Sequence, residues 1–145
     1  MKLMKKKKRE DGFTLVEVMV VMVIIGLLTT FVVINVLPAQ NKAMVQKAKA
    51  DIATFEGVIE RYRLDMLDYP EESAGLQALV ELPAGSKFAE RYPEGGYIKR
   101  LQTDPWGADY IYKYPGEYGV YDIISYGSDG EPGGEGQAAD IINGG

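Results

Sequence analysis

The chain of 145 residues carries 16 Lys and Arg against 21 Asp and Glu, a net charge of −5, with 46% hydrophobic residues, which bounds it at one ordinary globular domain. It contains no Cys and no His, so a disulfide scaffold, a thiolate metal site, a cysteine nucleophile and the usual imidazole base are excluded. Most hydrolytic mechanisms lose their key part with them.

The charge is unevenly spread. Lys2, Lys5, Lys6, Lys7, Lys8 and Arg9 crowd the first nine positions, whereas residues 13–37 carry a single charge, Glu17. At about 1.5 Å per residue this run is long enough to cross about 30 Å of hydrocarbon. The positive-inside bias then leaves the N-terminus cytoplasmic and everything after Leu37 outside. A cleaved secretory signal has the same polarity, but its apolar region is shorter and ends in small residues. Here Thr29, Thr30 and Phe31 lead into Val32, Val33 and Ile34, so the helix is expected to be retained. A carboxylate such as Glu17 in this run is costly unless it stays hydrated at the membrane edge or finds a partner.

Beyond Pro38, residues Ala48, Ile52, Phe55, Ile59, Tyr62 and Met66 recur at intervals of 4, 3, 4, 3 and 4, with charged residues between them. This is one apolar stripe of an amphipathic helix. Joined to the apolar run it makes a helix of roughly 50 residues, which Pro38 is expected to kink or locally open. Leu67-Asp68-Tyr69-Pro70 ends it, and a short second helix is expected over 73–81, with Leu76, Leu79 and Val80 as its contacts. Residues 83–105 read as loop. Two strands are expected over 110–114 and 120–126, joined by a type II turn at Pro115-Gly116, with an aromatic face on the long helix and Trp106 as a core or turn anchor. Of the 15 residues 127–141, five are Gly and four are acidic, too little apolar surface to order the segment by burial. Composition leaves two readings open, a flexible acidic loop or a site for a hard cation such as Ca²⁺, and the spacing does not match an EF-hand.

Gly12-Phe13-Thr14-Leu15-Val16-Glu17 behind a short basic leader resembles the class III signal of type IV pilins and of the pseudopilins of type II secretion. Tyr69-Pro70, Gly75-Leu76-Gln77-Ala78-Leu79, Gly96-Tyr97-Ile98 and Asp104-Pro105-Trp106-Gly107, in this order, resemble more narrowly the general secretion pathway protein G family, the major pseudopilins. The family's usual helix-breaking proline would fall at Ile34; here Pro38 lies about one turn later.

The resemblance implies cleavage by prepilin peptidase after Gly12, methylation of Phe13, and three segments: a leader over 1–12, a transmembrane and polymerisation helix over 13–37, and a periplasmic domain over 38–145. It implies an α+β, type IV pilin-like fold, in which the long N-terminal helix packs on a small C-terminal antiparallel sheet with a Ca²⁺-binding loop. Cleavage would create a charged amine on Phe13 that can pair in lipid with Glu17 of a neighbouring subunit, turning a costly charge into a register device. Asp129 and Asp140 match the side-chain ligands for a structural Ca²⁺, completed by backbone carbonyls near Tyr126 and Glu131. The function implied is that of a non-enzymatic subunit of the inner membrane, polymerised into a periplasmic filament that drives export of folded proteins. Its expected partners are further copies of itself, minor pseudopilins, prepilin peptidase, the assembly platform and the secretion ATPase complex. Losing residues 1–12 leaves 10 basic against 19 acidic residues, an unsuitable surface for nucleic acid.

Two other readings compete. A type IV pilin for adhesion, motility or DNA uptake shares the N-terminal motif but not the later ones, and many carry a C-terminal disulfide. A periplasmic hydrolase would need a carboxylate pair drawn from Asp104, Asp109 and Asp122, with Ser125 and Ser128 lacking any imidazole base.

Overall fold

The computed structural model describes residues 12–145; the basic cluster of the leader lies outside the described residues. The chain divides into two compact units, one ending at Ala39 and the other spanning Gln40–Gly145. A single helix, α1, covers Leu15–Met66. Helical backbone continues through Pro38, so of the kink or local opening expected there the opening does not occur, although the ring removes one backbone hydrogen bond and crowds the carbonyl four residues earlier. In the first unit the apolar side chains are exposed, Phe13 at 90% and Leu27 at 68%. The hydroxyls of Thr29 and Thr30 donate to the carbonyls of Ile25 and Gly26 at 2.8 and 3.0 Å, which satisfies both polar groups within the helix itself. This stretch is long and apolar enough to cross a membrane.

In the second unit all six stripe residues, from Ala48 to Met66, are buried. Each of the larger ones contributes roughly 1.5–3 kcal/mol by leaving water. The helix ends at Leu67, which adopts the left-handed conformation with φ 62° at the position where glycine is usual. Asp68 Oδ1 accepts the next N–H, from Tyr69, at 2.8 Å, and Pro70 prevents the helix from resuming.

The expected helix over 73–81 is a shorter 3₁₀ turn, Gly75–Leu79, burying Leu76, Ala78 and Leu79. Gly75 sits at φ 60°, which an α-helix cannot contain. The loop that follows folds back on this turn, and Tyr97 and Ile98 both donate N–H to the Leu79 carbonyl at 2.8 and 3.1 Å. At Gly96, φ 80°, a Cβ would lie 2.2 Å from the Val80 carbonyl oxygen, so only glycine allows that approach.

Strands β1 (Ile111–Lys113), β2 (Asp122–Ser125) and β3 (Ile141–Ile142) form an antiparallel sheet in the order β1-β2-β3. Tyr112 pairs with Ile123, and Ser125 with Ile141. The core face brings Tyr110, Tyr112, Tyr121, Ile123 and Ile141 onto the α1 stripe, with the rings of Phe55 and Tyr110 edge-on at 5.3 Å. Trp106 packs half-buried against this core. The connection from β1 to β2 is not a type II turn. It spans residues 114–121, and Gly116 lacks the positive φ that such a turn requires. The Asp122 carboxylate holds this loop instead, accepting N–H groups from Glu117, Tyr118 and Gly119 at 2.6, 3.2 and 3.2 Å.

Candidate functional site

At the start of α1, the N–H of Thr14 donates to Glu17 Oε2 at 2.9 Å, and the N–H of Glu17 donates to Thr14 Oγ1 at 3.3 Å. This is a reciprocal capping box, in which two otherwise orphaned N–H groups at a helix start find partners. The carboxylate also complements the positive end of the helix dipole. Both groups belong to residues after Gly12, so a cut between Gly12 and Phe13 leaves the box whole. Gly12 and Phe13 precede the helix and are exposed, with nothing within 4 Å of a Cβ placed on Gly12.

The glycine-rich segment 127–140 folds on itself. Ser128 donates N–H to the Gln137 carbonyl at 3.3 Å, and residues Gly136–Ala138 make a 3₁₀ turn. Asp129 is exposed and its Oδ1 accepts the Glu131 N–H at 3.1 Å. Asp140 Oδ2 accepts the Gly133 N–H at 2.9 Å, while Asp140 Oδ1 is buried without any hydrogen-bond partner. A buried carboxylate oxygen left without a donor is costly. Tyr126 is half-buried and Glu131 exposed. No group of three or more His, Cys, Asp or Glu side chains converges among the described residues, so a cation at this loop would draw most of its oxygens from the backbone.

Two other carboxylates are deeply buried, and both serve as local scaffolding. Asp104 Oδ1 accepts the N–H groups of Trp106 and Ala108 at 3.0 and 2.8 Å, and its Oδ2 accepts the Ser125 hydroxyl at 2.7 Å. Asp122 clamps the β1–β2 loop. Asp109 is exposed. The structure therefore gives Asp104 and Asp122 separate hydrogen-bonding tasks, one in the turn before β1 and the other in the β1–β2 loop.

A set of tyrosine hydroxyls ties the sheet and loops to α1 and its end. Tyr110 donates to Asp51 at 2.9 Å, Tyr97 to Asp65 at 3.0 Å, and Tyr112 to the Pro70 carbonyl at 2.9 Å. Burial, reinforced at Tyr97 and Tyr110 by the hydrogen-bonded carboxylate, pushes these phenols well above their usual range. Burial, with the charges of Glu60 and Glu56, pushes Tyr121 up to about 12. Sequence reasoning did not single out Asn143. Its side-chain amide accepts the Ile123 N–H at 2.7 Å and donates to the Tyr121 carbonyl at 3.1 Å, extending the pairing of β2 beyond the two residues of β3.

The family model for type II secretion system protein G matches residues 35–144. The chain belongs to this family. The prokaryotic N-terminal methylation motif matches residues 7–33. The chain is 51% identical to the type II secretion system core protein G of Vibrio cholerae, covering 97% of this chain and 95% of that one. It is 48% identical to that of Escherichia coli K12, covering 91% of each. Among solved structures it resembles the major pseudopilin from the type 2 secretion system of enterohaemorrhagic Escherichia coli, with a TM-score of 0.65 and 41% identity over 75% of this chain and 93% of that one. The long helix with its small antiparallel sheet is thus the pilin-like fold of a protein G pseudopilin, and membership of this family favours the secretion reading over a surface pilus.

Proposed function

We propose that this protein G is the major subunit of a type II secretion pseudopilus, a structural and non-enzymatic component that polymerises into a periplasmic filament to drive folded proteins outward. The observation that carries the reading is the full-length likeness to core protein G relatives. The exposed apolar half of α1 adds to it, being a surface that must be covered by lipid before assembly and by neighbouring subunits after it. Prepilin peptidase cuts after Gly12 and methylates Phe13. Residues 13–37 then hold the mature chain as a single span in the inner membrane, with 38–145 in the periplasm. Partners are further copies of the chain, minor pseudopilins, the assembly platform and the secretion ATPase.

Glu17 has two tasks in this reading. Oε2 caps its own helix, while the rest of the carboxylate, which makes no other hydrogen bond among the described residues, receives the Phe13 amine of a neighbour. The pairing offsets the cost of that charge in lipid and fixes the register of the incoming subunit.

The glycine-rich loop holds Ca²⁺. The unpartnered buried Oδ1 of Asp140 supports this, because a hard cation supplies the charge which that oxygen lacks. Asp129 and Asp140 would be the side-chain ligands, with backbone carbonyls near Tyr126 and Glu131, and the ion would order the loop.

Mass spectrometry of the protein from cells with an active prepilin peptidase tests the processing. A mature chain starting at methylated Phe13 and recovered in sheared filaments is expected. An intact leader on assembled protein would contradict it.

A further inference from the structure

The β1–β2 loop presents Tyr118 and Val120 side by side at 69% and 60% exposure. The three N–H groups bound by Asp122 and the Gly116 N–H bond to the Val120 carbonyl at 2.9 Å fix its shape. Such pre-ordering spares the entropy that a flexible loop loses on docking. Glu117 beside them is exposed and has no ion pair among the described residues.

On the other flank of α1 lies a groove of about 430 Å³. Phe55, Val58 and Ile98 form its apolar floor, and Lys99, Arg100 and Gln102 line it towards solvent. Lys99 and Arg100 are exposed cations with no ion pair among the described residues. At 3.6 residues per turn, the helix positions lining this groove (Asp51, Thr54, Phe55, Val58) point about 170° away from those beside the loop (Lys49, Glu56, Glu60). Loop and groove therefore lie at the same height on opposite flanks of the buried stripe: Glu117, Glu56 and Glu60 outnumber Lys49 on the loop side, while on the groove side Asp51 is already paired with Lys47 and bonded by Tyr110, leaving Lys99 and Arg100 as its unpaired charges among the described residues.

We propose that the Glu117-Tyr118-Gly119-Val120 loop of one copy docks into the Phe55–Val58–Ile98 groove of the next, with Glu117 facing Lys99 and Arg100. Placement on opposite faces makes the contact heterologous, so each copy keeps one free half for another neighbour and the contact propagates instead of closing a dimer. An exposed aromatic seated on an apolar floor supplies the affinity, and the charges supply the register. The inference rests on the filament reading.

The chain contains no cysteine, so introduced pairs report cleanly. In cells assembling the full chain, Tyr118→Cys combined with Gln102→Cys should give an oxidant-dependent ladder of dimers and higher oligomers, and neither single variant should. Glu117→Arg and Arg100→Glu should each lower filament yield severalfold, and their combination should recover it. Normal filaments from Glu117→Arg together with no ladder from the cysteine pair would overturn the docking and leave the filament reading intact. A Tyr118→Cys bond to some other protein alone would also overturn it. If the unaltered chain makes no filaments, the filament reading fails and this inference falls with it.

Discussion

Thr14 and Glu17 hold each other across the first turn of α1, each donating its backbone N–H to the other's side chain, at 2.9 and 3.3 Å. The carboxylate that interrupts the apolar run therefore has a partner within its own chain before any neighbour arrives. Helix capping of this kind contributes about 0.5–2 kcal/mol. It lowers the cost of carrying Glu17 into lipid without cancelling its charge.

Replacement of Glu17 separates the two tasks. Glu17→Gln keeps an acceptor at the third helical position, where Gln also serves in a capping box, but removes the charge. Both Glu17→Gln and Glu17→Leu should insert and be cleaved yet assemble poorly, as judged by sheared filament yield. Wild-type assembly of Glu17→Gln would show that the cap suffices and that no charge pairing with Phe13 is needed.

Asp122 is a scaffold residue, and its removal should be read in stability. Asp122→Ala strands the N–H groups of Glu117, Tyr118 and Gly119, at a cost of about 3 kcal/mol. For a domain of this size that lowers the melting temperature by roughly 10 °C or more. An unchanged melting curve from calorimetry on the domain from Gln40 onward would remove the clamp from the account.

The tyrosine anchors predict an alkaline limit. The ordinary phenol value is 10.0, and Tyr121 is raised to about 12, with Tyr97, Tyr110 and Tyr112 also raised. A raised folded value means that the folded state holds the proton more tightly. The stability from these groups is therefore whole below about pH 10 and is lost as pH climbs through the folded values. Melting temperature should be level from neutral pH to about pH 9 and fall steeply above pH 10. Tyr110→Phe, which keeps the ring against Phe55 but drops the hydroxyl to Asp51, should shallow that fall. An equally steep fall in the variant would contradict the assignment.

The amphipathic half of α1 was legible residue by residue, because a 3.6-residue period leaves one way to bury Ala48, Ile52, Phe55, Ile59, Tyr62 and Met66. The strands were legible in outline, from the β-prone Tyr112 and Ile123 that pair in the sheet. Shorter features were not. A glycine at φ 60° reduces the second helix to one 3₁₀ turn, and nothing local marks Gly75 for that conformation. β3 is two residues long, below any periodicity, and depends on Asn143, whose partners lie 20 and 22 positions away. Asp104 and Asp122 invite a catalytic reading in sequence because their backbone donors become visible only once the loops close around them. Asp129 and Asp140 were legible as loop carboxylates; that one oxygen of Asp140 is buried without a donor was not.

That oxygen makes the Ca²⁺ proposal asymmetric. The isolated domain should melt higher in Ca²⁺ than in chelator, by about 2.7 kcal/mol of added stability at a hundredfold excess over Kd. Asp129→Ala should abolish the difference. Asp140→Asn should weaken the response, because it removes one charged oxygen ligand while keeping a side-chain acceptor for the Gly133 N–H. Mg²⁺ should substitute poorly, since it demands tight octahedral geometry. Identical curves with and without chelator would return the segment to a flexible acidic loop.

The most direct test of the central claim is export itself. In cells that keep the rest of a type II secretion system but lack their own protein G, this chain should restore release of folded substrates and appear in filaments as mature protein. Gly12→Val should do neither, accumulating as uncleaved precursor in the membrane. Processed, membrane-inserted chain that forms surface filaments but restores no export would contradict the account.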